Sequence, residues 1–139
     1  MRTMRWRRSN ETGSVGPFIM ILLPALVGLV GLAYDGGMLF AGRREANNLA
    51  AAAARTGTND LYEPSIYAGD PVMAGSAVAS AENFAFSHGA DTAIANQVDP
   101  KLIEVSVTTQ VDVLFLSIFG IGTQTVSGRA SSHVSPGVS

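Results

Sequence analysis

The chain has 139 residues, a formal net charge of −2 and no cysteine. Only 14% of the residues are charged, against roughly 25% in typical soluble domains. The lack of cysteine excludes disulfides, thiolate nucleophiles and cysteine-based metal sites. No cluster of Lys and Arg is large enough to indicate a nucleic-acid partner.

An uncharged apolar run occupies residues 14–34, after a basic leader at residues 1–13. As a helix rising about 1.5 Å per residue, the run would reach about 31 Å, which matches the hydrocarbon core of a bilayer. Four arginines precede the run, whereas acids outnumber bases after it. Because positive charge is retained in the cytoplasm, we expect a single-pass cell-membrane protein with a cytoplasmic N-terminus and an extracytoplasmic C-terminal domain.

The helical pattern continues beyond the apolar run, through residues 35–57. One face carries mostly small side chains at steps of three and four residues. Its members, with Asp35 at the membrane boundary, are Asp35, Leu39, Gly42, Ala46, Leu49 and Ala53. The face could pack against the protein's own globular part, or it could assemble with copies of the chain or with partner helices. Asp35 could mark the membrane boundary or pair with a basic residue of a partner helix.

Residues 58–139 predict a small exported α+β domain. Residues 58–69 are typical of a loop, and Asp70-Pro71 resembles the start of a second helix that ends at Gly89. Apolar and polar residues alternate over 103–113 and again over 125–134, which predicts two antiparallel strands. A further short strand is an open possibility around Ile94. The first, long helix is expected to end near Gly57.

Residues 114–122 are too apolar for an ordinary connection between the two strands and too short to span a membrane. One interpretation is that they fold back over the small core. The other is an exposed patch that touches lipid or a neighbouring subunit.

No pattern in the chain predicts catalysis. His88 and His133 are the only histidines and lie in no metal-ligand spacing, and no serine stands in a GxSxG motif. The acids are scattered, without a pair placed for acid–base work. We therefore expect a protein that is not an enzyme and has no cofactor, metal or small-molecule substrate.

Four stretches follow one another in the N-terminal part of the chain: GSVGPF at residues 13–18, a leucine-rich span with Leu23-Pro24, GLAYDGG at 31–37, and RREANNLA at 43–50 with its alanine run. Together they resemble the start of TadG-like and TadE-like proteins of the bacterial tight-adherence (Flp) pilus system. The resemblance extends over about residues 13–57. It implies a pilin-like structural or assembly component of a surface pilus, whose partners are other proteins of the pilus system or copies of itself.

The resemblance also implies a processing site. A prepilin peptidase would cut after Gly13 and leave Ser14 as the new N-terminus, which would allow entry into a surface filament. The fifth residue after that cut is Phe18, where pilins carry a glutamate, so the sequence departs from the pilin pattern here and is closer to TadG-like segments.

A different class of function remains as an alternative: a secreted or surface binding module exported by a cleaved signal peptide. Residues 31–33 would then supply a small-x-small cleavage site after Ala33. The apolar run is longer than the usual core of about 7–15 residues in a signal peptide, which favours the membrane anchor.

Overall fold

The computed structural model describes residues 15–135. The predicted processing residues Gly13 and Ser14 lie outside this range. A long helix, α1 (Val15–Asn59), is followed by a short helix, α2 (Glu63–Tyr67), and by α3 (Ala77–Ser87). Three strands complete the chain, β1 (Thr92–Asp99), β2 (Leu102–Val111) and β3 (Gln124–His133), with a 3₁₀ turn at Leu116–Phe119 between the last two. The predicted α+β class is confirmed.

The strands form one antiparallel sheet in the order β1-β2-β3. Alternate residues of the central strand, Ile103, Val105 and Val107, are fully buried, as the period of two predicted. The register sets Val105 opposite Ala95 on one side and opposite Ala130 on the other. The two strands predicted from alternation are therefore confirmed.

The second half of α1 lies across this sheet with its backbone very close to β3. A Cβ atom at Gly128 would stand 2.2 Å from backbone atoms of Ala46 and Asn47. The Asn47 side chain also accepts a hydrogen bond of 3.0 Å from the N–H of Arg129. Helix and strand can approach this closely because both carry small residues at the crossing.

Alanines fill the space between α1 and α3. Ala50, Ala53 and Ala54 of α1 form one apolar cluster with Ala77, Ala81 and Ala85 of α3 and with the buried face of β2. At the end of α1, a Cβ at Gly57 would stand 2.8 Å from Ile103 and 3.1 Å from the carbonyl oxygen of Ala77. The core is thus held by close backbone approach.

The helix predicted to start at Asp70-Pro71 corresponds to α3, which begins at Ala77. The predicted start is therefore wrong. Asp70 forms an ion pair with Lys101 and caps no helix. The following residues stay extended because the N–H of Met73 donates to Pro100 (2.9 Å) and that of Ala74 to Asp60 (2.7 Å). Tertiary hydrogen bonds therefore outweigh the local capping signal.

One additional helix and the end of α1 also differ from the prediction. The short helix α2 lies where a loop was expected, with proline in its first turn. Helix α1 runs on to Asn59, and Gly57 does not take the left-handed conformation expected of a cap. Gly89, with φ of 94°, does follow α3 as predicted. Strand β1 spans eight residues around Ile94.

Candidate functional site at the end of the apolar segment

The first half of α1 exposes its apolar side chains. We call residues 15–34 the apolar segment, and α1 is the helix of the described range that is long and apolar enough to cross a membrane. Its exposed large side chains are Val15, Phe18, Ile19, Met20, Ile21, Leu22, Leu23, Leu26, Val27, Leu29, Val30, Leu32 and Tyr34. An exposed apolar surface of this size is typical of a segment that contacts a membrane or another protein.

Asp35 follows the apolar segment directly and is fully buried (0% exposed). Its carboxylate accepts three backbone hydrogen bonds from residues 79–81 positions further along the chain. The N–H groups of Leu114 (3.0 Å) and Phe115 (3.2 Å) donate to Oδ1, and the N–H of Leu116 (2.6 Å) donates to Oδ2. We call this arrangement the Asp35 clasp.

The clasp favours the charged form of Asp35. Burial of the carboxyl raises its pKa, but the N–H donors of Leu116, Phe115 and Leu114 together outweigh that effect. The pKa of Asp35 therefore lies below its ordinary value of 3.8. The group stays ionised at neutral pH, where a carboxylate accepts stronger hydrogen bonds than a neutral group.

The clasp holds a segment that we call the apolar loop, residues 114–122. The Phe115 ring occupies the position above Gly31 where a side chain would otherwise stand, because a Cβ there would lie 2.1 Å from ring atoms. Helix and loop enclose an open groove of about 430 Å³. It is lined by Leu26, Val27, Val30, Gly31, Tyr34, Leu114 and Phe115.

The rest of the apolar loop points away from the core. The 3₁₀ turn ends at Gly120, whose φ of 80° is the left-handed conformation that glycine accepts readily. Leu114 (69%), Ile118 (74%) and Phe119 (75%) are exposed. The loop is therefore attached to α1 through Phe115 and its backbone, and Leu116 is half-buried, while Leu114, Ile118 and Phe119 remain uncovered by the described chain.

Comparison with known families gave a match in the N-terminal part of the chain. Residues 13–61 match the model of the family described as "Putative Flp pilus-assembly TadE/G-like". These residues are TadE/G-like. No curated protein and no solved structure gave a significant match. The matched range, the TadE/G-like segment, includes the apolar segment, Asp35 and the part of α1 that packs on the sheet, so the resemblance read from the sequence is confirmed there.

The predicted assembly face lies in the TadE/G-like segment and is covered by the chain itself. Gly42 and Ala46 are buried, and Gly42 lies against Val111 and Val126. Ala53 is buried in the core cluster, Leu49 packs against that cluster, and Leu39 is half-buried. An assembly role for this face remains a prediction. In this structure its contacts are intramolecular.

Neither histidine takes part in the Asp35 clasp, and both contact backbone carbonyl groups close to them in sequence. His88 ends α3, where its Nδ1 lies 2.8 Å from the carbonyl oxygen of Phe84 and its ring stacks on Phe84. His133 lies at the end of β3, with Nδ1 2.8 Å from the carbonyl oxygen of Val134. Within residues 15–135, no group of three or more His, Asp or Glu could hold a metal ion.

Sequence reasoning placed Asp35 at the membrane boundary but missed its partners. One signal was available: no charged residue occurs between Asp112 and Arg129. An uncharged stretch of this length and a lone acid after the TadE/G-like apolar segment both need an explanation, and one contact supplies it. The roles of Gly31 and Gly128 had no signal, because their neighbours are distant in sequence.

Proposed function

We propose that the protein is a non-enzymatic, pilin-like structural or assembly component of a Tad-type surface pilus, anchored in the cell membrane by α1. The observation that carries this proposal is the continuity of α1: one helix of 45 residues joins the apolar segment to the core of the domain. The match to a pilus-assembly family covers the same part of the chain. Other pilus-system proteins, or copies of the chain, are its partners.

The contacts of the apolar segment support a retained anchor over a cleaved signal peptide. A cut after Ala33 would remove Gly31 and with it the surface on which Phe115 packs. A signal peptide has no reason to pack specifically against the domain that it exports.

The proposed organisation follows the two environments of α1. Residues 1–13 form the cytoplasmic leader, 14–34 cross the membrane, 35–57 continue the helix, and 58–139 form the exported domain. Processing between Gly13 and Ser14 would leave this arrangement intact, since the cut precedes the apolar segment.

Two measurements test the anchoring. Intact mass and N-terminal sequencing of the protein from its native membranes distinguish a full chain or a start at Ser14, both compatible with the proposal, from a start at Tyr34, which contradicts it. The absence of cysteine allows single-cysteine labelling. Tyr67→Cys should react with a membrane-impermeant maleimide in intact cells, whereas Ser9→Cys in an uncleaved chain should react only after lysis; the reverse pattern contradicts the topology.

The pilus role needs a genetic test. Deletion of the gene should abolish or shorten surface filaments seen by electron microscopy, and the wild-type gene should restore them. A second variant, Leu26→Arg, tests the apolar segment alone. A charge there hinders insertion but leaves the exported domain's sequence unchanged. Normal filaments in the deletion strain would reject the pilus role.

A further inference from the structure

The apolar loop combines exposed apolar side chains with a backbone in which six of the nine N–H groups donate to acceptors within the chain. The N–H groups of Leu114, Phe115 and Leu116 donate to Asp35. Those of Ile118, Gly120 and Ile121 donate to carbonyl oxygens within the loop. A loop in water can leave such groups to the solvent, but irregular backbone at membrane depth must find internal partners.

The loop also lies level with the apolar segment. Phe115 covers Gly31, which lies four residues before Asp35, or about 6 Å along the helix axis. The groove that Phe115 shares with α1 extends back to Leu26, about 12 Å from Tyr34 along the axis. If the apolar segment is in a bilayer, the loop beside it is therefore at or below the interface.

The charges nearby agree with this level. Residues 113–128 contain no ionisable side chain, and the carboxylate of Asp35 is enclosed by its donors. Arg43 and Arg44 are exposed on α1, about 13 Å beyond the end of the apolar segment along the axis. Their long side chains can reach back to lipid phosphates. Tyr34, at the boundary, is a residue type enriched at the interface.

We propose that the apolar loop is a second membrane contact, inserted into the lipid interface beside α1 with Leu114, Ile118 and Phe119 facing the acyl chains. The occupant is lipid because Leu114 and Phe115 of the loop line one apolar groove with Leu26, Val27 and Val30 of the exposed apolar segment. The Asp35 clasp favours insertion of the loop into the lipid interface, because the carboxylate accepts hydrogen bonds from three backbone N–H groups that lipid cannot satisfy. The inference rests on the membrane anchoring proposed above.

Fluorescence quenching measures the depth of the loop. The chain has one tryptophan, Trp6, so a Trp6→Phe background accepts single reporters. Full-length protein with Phe119→Trp would be reconstituted in vesicles whose lipids carry bromine near the glycerol backbone or near the bilayer centre. Tyr67→Trp, at a site 90% exposed in α2, is the matched aqueous control, and Leu29→Trp reports on the apolar segment.

We expect Phe119→Trp to be quenched strongly by shallow bromine and weakly by central bromine, with Tyr67→Trp unquenched by either. Quenching of Leu29→Trp together with an unquenched Phe119→Trp would overturn the loop insertion and leave the anchor in place. If Leu29→Trp is itself unquenched, the anchoring fails and the insertion with it. The two failures are therefore distinguishable.

A second variant tests whether a neighbouring copy covers the loop. In the cysteine-free chain, Phe119→Cys would give a disulfide-linked dimer on oxidation if loops of two copies met. We expect the monomer to persist, and Phe119→Cys labelled with an environment-sensitive dye to show a blue shift in vesicles relative to Tyr67→Cys. Rapid dimer formation without a blue shift would replace lipid by a second copy and overturn the proposal.

Discussion

The two halves of α1 have the same backbone and opposite surfaces. In residues 15–34 the large aliphatic side chains are exposed on all sides, whereas beyond Asp35 the buried positions are mostly glycine and alanine. The first half can be surrounded by any apolar medium, because its surface is uniform. The second half packs against one particular strand and helix, because its small residues fit only their surfaces. Among the apolar positions of α1, side-chain size therefore separates the exposed first half from the half that packs in the core.

The largest effect is expected for Gly128→Val in β3, which tests the close packing of the second half of α1. A Cβ at this position meets backbone atoms of Ala46 and Asn47, which cannot rotate away. Overpacking typically costs about 1–3 kcal/mol and sometimes more, and we expect about 3 kcal/mol or more of unfolding free energy to be lost. Denaturant unfolding in detergent, followed by circular dichroism, measures the loss.

Gly122→Val is the matched control, since nothing lies within 4 Å of its Cβ position. Its effect should stay within about 0.5 kcal/mol, as for most surface substitutions. If both variants are equally stable, α1 does not contact β3 as described.

Asp35→Asn tests the Asp35 clasp, which lies where the two halves of α1 meet. An asparagine side chain offers one acceptor oxygen where the carboxylate has two, so at least one N–H of the apolar loop loses its partner. Amide exchange at Leu114–Leu116 should accelerate on the order of tenfold or more, by hydrogen exchange with mass spectrometry. Asp112→Asn, at the exposed flank of the loop, should leave those amides protected. Unchanged exchange in Asp35→Asn would contradict the clasp.

The Asp35 clasp should also open at low pH. Because the folded-state pKa of Asp35 lies below its ordinary value of 3.8, the clasp is fully formed above that value. Its contribution is lost as the pH falls through the lower folded-state pKa. Spin labels on Ile118→Cys and Met38→Cys should keep one distance from neutral pH to about pH 4 and separate only below it. Separation beginning near pH 6 would contradict the lowered pKa.

The smallest effect is expected at Gly31, where the obstacle is a side chain and not backbone. Gly31→Leu must displace the Phe115 ring, and we expect a cost of about 1 kcal/mol, at the low end for overpacking. The distance between spin labels on Met38→Cys and Ile118→Cys should lengthen, whereas Gly28→Leu, with open space around its Cβ position, should not change it. An unchanged distance in Gly31→Leu would remove Phe115 from the contact.

The sequence was sufficient for elements whose own pattern decides them. Strands β2 and β3 alternate clearly, and the apolar segment is defined by composition. Strand β1 was harder because it buries Ala93 and Ala95 and exposes Ile94 and Val98, the reverse of the usual contrast in size. The start of α3 failed because hydrogen bonds to Pro100 and Asp60 hold the preceding residues extended.

The candidate site was predictable only in part, for a related reason. Asp35 and the apolar loop each had an unusual composition, but nothing local joined two segments 79 or more residues apart. The close approach at Gly128 was equally hidden, since a glycine in a strand gives no indication of which backbone it faces. Pairings of this kind follow from the topology of the sheet on α1 and not from any window of sequence.

The continuity of α1 through Asp35 has a mechanical consequence. Because α1 stays helical through this boundary and the domain packs on its second half, the proposed membrane anchor would act as a lever that couples the tilt of the helix to the position of the domain. The 25 residues from Asp35 to Asn59 give a lever arm of about 38 Å. A tilt of about 20°, average for a spanning helix, would displace its far end sideways by about 13 Å. A change in the tilt of α1 would thus move the domain sideways relative to the bilayer.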